Sequence, residues 1–217
     1  MKNQKELLQL FINILQTEKT SEDIGVPLGI SNRHIHLAQN EIDQLFGTGY
    51  QLTKLKELSQ PGQYACKETV MICGPKGVIE KVRVLGPARS ASQVEVMTGD
   101  CFKLGLKVPV RQSGEIIGTP GITIVGSAGS ATLKEGVIVA QRHIHMSPED
   151  AHFYQVADGE RVMIKLTGER GGVFDNVVIR VSKDFRLECH LDVEEANAMG
   201  LNSKSKVYII KNNQEEM

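Results

Sequence analysis

Arg-His-Ile-His occurs twice in this chain, at Arg33–His36 and Arg142–His145, and the two copies hold four of its six histidines. Side chains alternate between the faces of a β-strand, so in each copy both imidazoles share one face while Ile35 or Ile144 turns to the other. Two imidazoles on one face converge on a metal ion. Zinc accepts nitrogen and carboxylate ligands, and three protein ligands leave a position open for chemistry. Each pair therefore calls for a third ligand from elsewhere in the chain.

The repeat is longer than the tetrapeptide. At an offset of 109, ISNRHIHL (30–37) lies on VAQRHIHM (139–146); at an offset of 95, IEKV (79–82) lies on FDNV (174–177) and LGL (104–106) on MGL (199–201). The first copy is longer by the difference, 14 residues, and TGYQLTKLKELSQPGQYA has no counterpart in the second. Carried between its anchors, the second offset sets Glu95 opposite His190. A duplicated unit is expected, with His34, His36 and Glu95 as one ligand set and His143, His145 and His190 as the other. A rival set of His34, His36 and Glu41 has the spacing of cupin metal sites and predicts a cupin-like single-metal oxygenase or isomerase. In the second copy its acid, Glu149, is one residue out of step and sits where a helix's first turn favours acids anyway. A third class, a structural zinc or docking protein without turnover, would lose stability on chelation and show no reaction. Six residues before Glu95, in a run of small residues, stands Arg89. Its guanidinium is a rigid fork suited to bidentate phosphate binding, which makes it the candidate phosphate clamp.

The elements that must hold these residues read as strands. VPLGIS and GVIVAQ lead into the two tetrapeptides, and ETVMICG, KVRVL, GITIV, RVMIKL, NVVIRV and KVYII are short β-branched runs bounded by turn residues. A mainly β chain of barrel or sandwich class follows. Helices are brief: SPED puts Ser147 at an N-cap, Pro148 at the first helical position and Asp150 three residues after the cap. Leu7, Leu8, Phe11, Ile12 and Leu15 have helical spacing, and the polar TEKTSEDIG after them reads as a linker, so the N-terminus is expected as an amphipathic helix, either the first helix of the fold or a docking tag, with the linker favouring the tag. A formal charge of −1 excludes a general attraction to nucleic acid or anionic membrane. No apolar run approaches the roughly 20 residues that span a bilayer. Cys66, Cys73, Cys101 and Cys189 form no CxxC pair and read as reduced thiols of a cytosolic protein.

GISNRHIHL, QPGQYA, GPARSASQVEV, GTPGI, GVIVAQRHIHMSPED and VEEANAMG, in this order, closely resemble the PduL-type phosphate propanoyltransferases of bacterial microcompartments, across residues 25–211. The resemblance implies two small β-barrels capped by short helices, one from residues 25–46 with 141–213 and one from 47–140, with residues 1–24 as an encapsulation peptide. It implies two zinc ions per chain, one on His34, His36 and Glu95 and one on His143, His145 and His190. It implies phosphate on Arg89 and coenzyme A contacts from Ser31, Lys56, Arg83, Leu85, His190 and Asn197. The activity implied is reversible transfer of a short acyl group, propanoyl with acetyl or lactoyl as variants, between coenzyme A and inorganic phosphate. A homodimer in the cytoplasm, inside a microcompartment of propanediol, ethanolamine or fucose and rhamnose degradation and in contact with its shell or core proteins, completes the expectation.

Overall fold

The computed structural model describes residues 24–210, and the expected N-terminal helix lies outside the described residues. The chain is mainly β. Six strands close into a barrel in the order β1 (Val26–Ser31), β14 (Glu188–Asp192), β11 (His143–Met146), β13 (Gly172–Val181), β12 (Arg161–Leu166) and β15 (Lys206–Ile210). Nine strands form a second, open sheet: β7 (Val110–Arg111), β10 (Val137–Ala140), β6 (Gln93–Val96), β2 (His34–Ala38), β5 (Val78–Arg89), β4 (Tyr64–Cys73), β8 (Ile122–Val125) and β9 (Ser130–Leu133), with β3 (Lys54–Glu57) paired to β4. Four short helices complete the described residues: α1 (Gln39–Phe46), α2 (Thr98–Leu104), α3 (Pro148–Tyr154) and α4 (Val193–Ala198). In α3 the Ser147 side chain accepts from Asp150 N and Pro148 opens the helix, as its sequence predicts.

The duplication is visible in the ladders. His34 pairs with Glu95 across β2 and β6, and His143 pairs with His190 across β11 and β14. On the other side β2 runs parallel to β5 and β11 parallel to β13. Lys81 and Asn176, at matching positions, both adopt left-handed backbone, and in both hairpins the register slips nearby, between Val70 and Ile72 and between Val162 and Ile164. Val70 pairs with Val82 where Val162 pairs with Val177, so β4 matches β12 at an offset of 92. The net surplus of 14 is thus 17 extra residues before β4, less three in the hairpin that follows it.

One boundary differs from expectation. The stretch 25–46, expected whole in the barrel, divides at Asn32 and Arg33: β1 stays in the barrel, while β2 and α1 belong to the open sheet. Its counterpart β10 does the reverse, pairing with β6 in the open sheet while β11 enters the barrel. Each half therefore lends the strand before its tetrapeptide to the other half's sheet. The equivalence is kept to the residue, since Ile30 pairs with Leu191 and Val139 with Val96.

Alternation fixes what each tetrapeptide does. Ile35 and Leu37 go to the open sheet's core, with Ile42, Leu45, Val84 and Val94; Ile144 and Met146 go to the barrel core, with Tyr154, Val177, Ile179 and Cys189. The arginines are tied down. Arg33 Nε donates to Asp100 Oδ2 at 2.8 Å, and Arg142 Nε donates to Glu195 Oε1. Both acids occupy the third position of a helix and also accept from the N-cap amide, Met97 N or Asp192 N. The arginine of each tetrapeptide thus clips a helix start to the strand that carries the histidines.

The 17 extra residues form a strap from the open sheet to the barrel. At its root, Glu68 accepts from Tyr50 Oη at 2.9 Å and from Thr53 N at 3.0 Å. At its tip, Ser59 Oγ donates to Glu188, and Gln60 Nε2 donates to Arg186 O at 2.9 Å and to Glu188 Oε2 at 3.2 Å.

Ile35→Ala and Ile144→Ala are each expected to cost about 2–5 kcal/mol in denaturant unfolding, because both side chains are fully buried and leave a cavity. Burial alone would raise the Glu68 carboxyl, but hydrogen bonds from the Thr53 amide and the Tyr50 hydroxyl hold it below its ordinary value of 4.5. A depressed carboxyl contributes stability that is present above the unfolded pKa and lost as pH falls through the folded one. Unfolding midpoints should therefore drop more steeply below about pH 4.5 in the wild type than in Glu68→Gln; parallel curves would remove Glu68 as the anchor.

Candidate metal centre and substrate cavity

His34 and His36 rise on one face of β2, and Glu95 stands beside His34 on the neighbouring strand, its Oε2 3.3 Å from His34 Nε2. Equivalent positions in the barrel carry His143, His145 and His190, whose rings lie 4.6–4.9 Å apart. In each triad one ligand atom per residue lies within 4.8 Å of the others. The tautomers are set locally. His34 Nδ1 lies 2.8 Å from Asn32 O and His143 Nδ1 2.8 Å from Gln141 O; a carbonyl only accepts, so both Nδ1 carry a proton and Nε2 is the nitrogen that bears the lone pair when the ring is neutral.

Four other ring nitrogens of the triads are buried without a hydrogen bond. His36 Nδ1 and both nitrogens of His145 are buried without a hydrogen bond, as is His190 Nε2, which lies 3.1 Å from Glu188 Oε2 without the geometry of one. Buried polar atoms in native proteins nearly always have a partner, so nitrogens left open in two clusters fit a bound cation. Protonation agrees with this. Burial, with the neighbouring charge of His34, holds His36 near 2; burial, with His143 and His190, holds His145 near 2; burial and His190 hold His143 near 4. These imidazoles are neutral ligands at physiological pH. His34 goes the other way: burial opposes its charge, but Glu95 overrides that and raises it, while Glu95 itself is held well below the carboxylate range.

Both triads open into one cavity of about 880 Å³ lined from both sheets and roofed by the strap. Arg89, Ser31, Lys56, Arg83, Leu85 and His190 all line it. Asn197 does not: it is exposed on α4. Glu41 stays out of the triad and accepts from Ser92 Oγ at 2.8 Å, so no carboxylate from α1 joins His34 and His36. His152 is exposed on α3. The four cysteines are free, and none lines the cavity.

Four further residues escape the sequence reading. Gln93, 2% exposed, donates Nε2 to Glu95 Oε1 at 2.6 Å and to Ser113 Oγ at 2.9 Å. Ser113 in turn accepts from Arg89 Nη1 at 3.1 Å, so one chain of hydrogen bonds orients both a triad carboxylate and the candidate phosphate clamp. Glu188 stands two residues before His190, as Gln93 does before Glu95, and is held to about 2 because the hydrogen bonds of Ser59 and Gln60 and the nearness of His190 outweigh burial. An amide supports the carboxylate and a carboxylate supports the imidazole, each the complement of what it holds. A two-residue step back along either strand keeps the same face, and that signal would have found both. The fourth is Arg180, a charged residue inside the apolar run NVVIRV, beside His145 in the β11–β13 ladder.

Among the described residues no helix is long and apolar enough to cross a membrane. The family model described as phosphate propanoyltransferase matches residues 27–202. A phosphate propanoyltransferase of Thermotoga maritima is 54% identical over 188 residues, 86% of this chain and 90% of its own length. One from Rhodobacter capsulatus is 52% identical over 211 residues, 94% and 98% of the two chains, and one from Salmonella typhimurium is 50% identical over 197 residues, 90% and 92%. A match that runs through both triads, the strap and the cavity makes this chain a member of the phosphate propanoyltransferase family.

Proposed function

We propose that this protein catalyses the reversible transfer of a propanoyl group, with acetyl or lactoyl as related substrates, between coenzyme A and inorganic phosphate at a two-zinc centre. The observation that carries the reading is the pair of facing triads with open imidazole nitrogens in one cavity that also presents arginines. His34, His36 and Glu95 would hold one zinc, and His143, His145 and His190 the other; bound there, the ions supply Lewis acidity and open coordination positions.

The chain's own residues do the rest. Arg89, its Nη1 on Ser113 and its remaining N–H groups free for an anion, holds phosphate against the triads. A phosphate oxygen attacks the thioester carbonyl carbon, the carbon–sulfur bond breaks, and coenzyme A leaves as thiolate. No protein nucleophile is required, and proximity of the two bound substrates supplies much of the acceleration. The cysteines agree: burial pushes Cys66 up to about 11 and raises Cys189 further, which makes both poor nucleophiles. Lys56, exposed on the strap, and Arg83, which spends Nη1 on the carbonyls of Cys66 and Lys67, face the coenzyme phosphates. Ser31, Leu85, His190 and Asn197 complete the coenzyme's surroundings, with Asn197 meeting it outside the cavity. Residues 1–24, outside the described part but for Ile24, serve as the tag that directs a homodimer to microcompartment shell or core proteins within the cytoplasm.

Coenzyme A release from propanoyl-CoA, followed with a thiol reagent, should require phosphate, vanish on chelation and return with zinc. Metal analysis should give two zinc ions per chain, and one in His145→Ala. Arg89→Ala should lower the rate on the order of 10²-fold, as loss of a preorganised charge-stabilising group does. Release that proceeds equally without phosphate would make the protein a thioesterase.

A further inference from the structure

Four arginines line the cavity, and three of them are engaged: Arg33 with Asp100, Arg83 with backbone carbonyls, and Arg89 with Ser113. Among the described residues Arg180 has no hydrogen bond or ion pair. Its contact is the ring of Phe185, 5.7 Å from Cζ, and that ring lies 4.1 Å from the ring of His145. A half-buried guanidinium with no acceptor is costly, because its lost hydration is not replaced.

The surroundings make the cost larger. Arg180 sits near Arg89, His143 and His145, and it disfavours the charge on each of them. Of the acids lining the cavity, Glu95 is committed to His34 and Gln93, Glu195 to Arg142, and Asp192 to the backbone amide of Glu195. Asp184 lines the same cavity but makes no ion pair with Arg180. The internal symmetry does not explain the residue either, since its counterpart is Leu85, and the counterpart of Arg89 is Asp184. Two guanidiniums thus reach one space from different sheets and non-equivalent positions, and an anion between them satisfies both.

We propose that Arg180 is a catalytic residue that binds the same phosphate as Arg89, gripping it from the barrel side while Arg89 grips it from the open sheet. The Phe185 ring lies against the fork, and the position beside His145 puts the guanidinium next to the barrel triad. This rests on the acyltransferase reading, which fixes what the anion is.

The test uses the zinc-loaded full chain. In Arg180→Ala the KM for inorganic phosphate should rise at least tenfold while the KM for propanoyl-CoA stays within twofold, and Arg180→Lys should fall between the two. Direct titration with inorganic phosphate, read as thermal stabilisation, should weaken in parallel. The Arg89→Ala, Arg180→Ala double variant should lose less than the product of the single losses, because both residues hold one ligand. Should Arg180→Ala fail to fold, Arg180→Lys carries the comparison. Unchanged phosphate affinity in either variant, or a rise confined to the propanoyl-CoA KM, overturns the assignment. A wild type that neither needs nor binds phosphate overturns the acyltransferase reading itself, a different failure.

Discussion

The site rests on one backbone constraint, the antiparallel pairing of each tetrapeptide strand with the strand that brings the third residue of its triad. Directly opposed residues on such a ladder have Cβ atoms about 4.5–5.5 Å apart and share a face. With His34 opposite Glu95 and His143 opposite His190, the third group is delivered to the histidine pair by hydrogen bonding of the main chain. The same ladder sends Ile35 and Ile144 into the cores, so a slip of one residue would expose an isoleucine and bury an imidazole. Core packing therefore guards the register of the chemistry. The arginine clips to Asp100 and Glu195 fix the helix that follows each third ligand and so hold the far strand of each ladder from behind.

Exchange of first strands joins the halves more firmly than a linker could. Because β1 is built into the barrel and β10 into the open sheet, neither half has a complete sheet without the other. The two triads consequently keep a fixed separation, which a reaction between two bound substrates needs. The asymmetry is concentrated at the rim. The strap belongs to one half alone and ends on Glu188 of the other, so the group that supports His190 is itself held by the cavity's roof.

Much of this was legible in the sequence. The period-two pattern around each tetrapeptide gives strand and facing, and the two offsets give the partner of each histidine pair, since both ladders lie within segments that align without gaps. What escaped was set by contacts between distant segments. The division at Asn32 and Arg33 leaves no local mark, because β1 is a good strand whichever sheet receives it. The hidden shift from 95 to 92 between β4 and β12 is a bulge and hairpin difference that short anchors step over. Gln93 and Glu188 differ in residue type, so a search for identity passes them by; only the complementarity of what they hold relates them. Asn197 shows the converse, a residue matched by motif that the fold sets on the surface of α4, outside the cavity.

The two triads are not electrostatic copies. In the barrel triad burial holds His143 and His145 low, so both present lone pairs. The open-sheet triad replaces one imidazole with Glu95, and the result is a buried pair in which His34 is biased toward its protonated form and Glu95 toward its charged form. In the proposed reading a cation at the open-sheet triad would take a carboxylate among its own ligands, whereas one at the barrel triad would meet nitrogen alone, with the Glu188 carboxylate 3.1 Å from His190 Nε2. Arg180 adds positive charge on the barrel side, beside His145. Phosphate, the compact anion of the two proposed substrates, would gain from that positive wall, while the carbonyl of a thioester needs only polarisation. On that reading a single difference between the two triads, a glutamate for a histidine, would give the halves of a duplicated fold separate parts in one reaction.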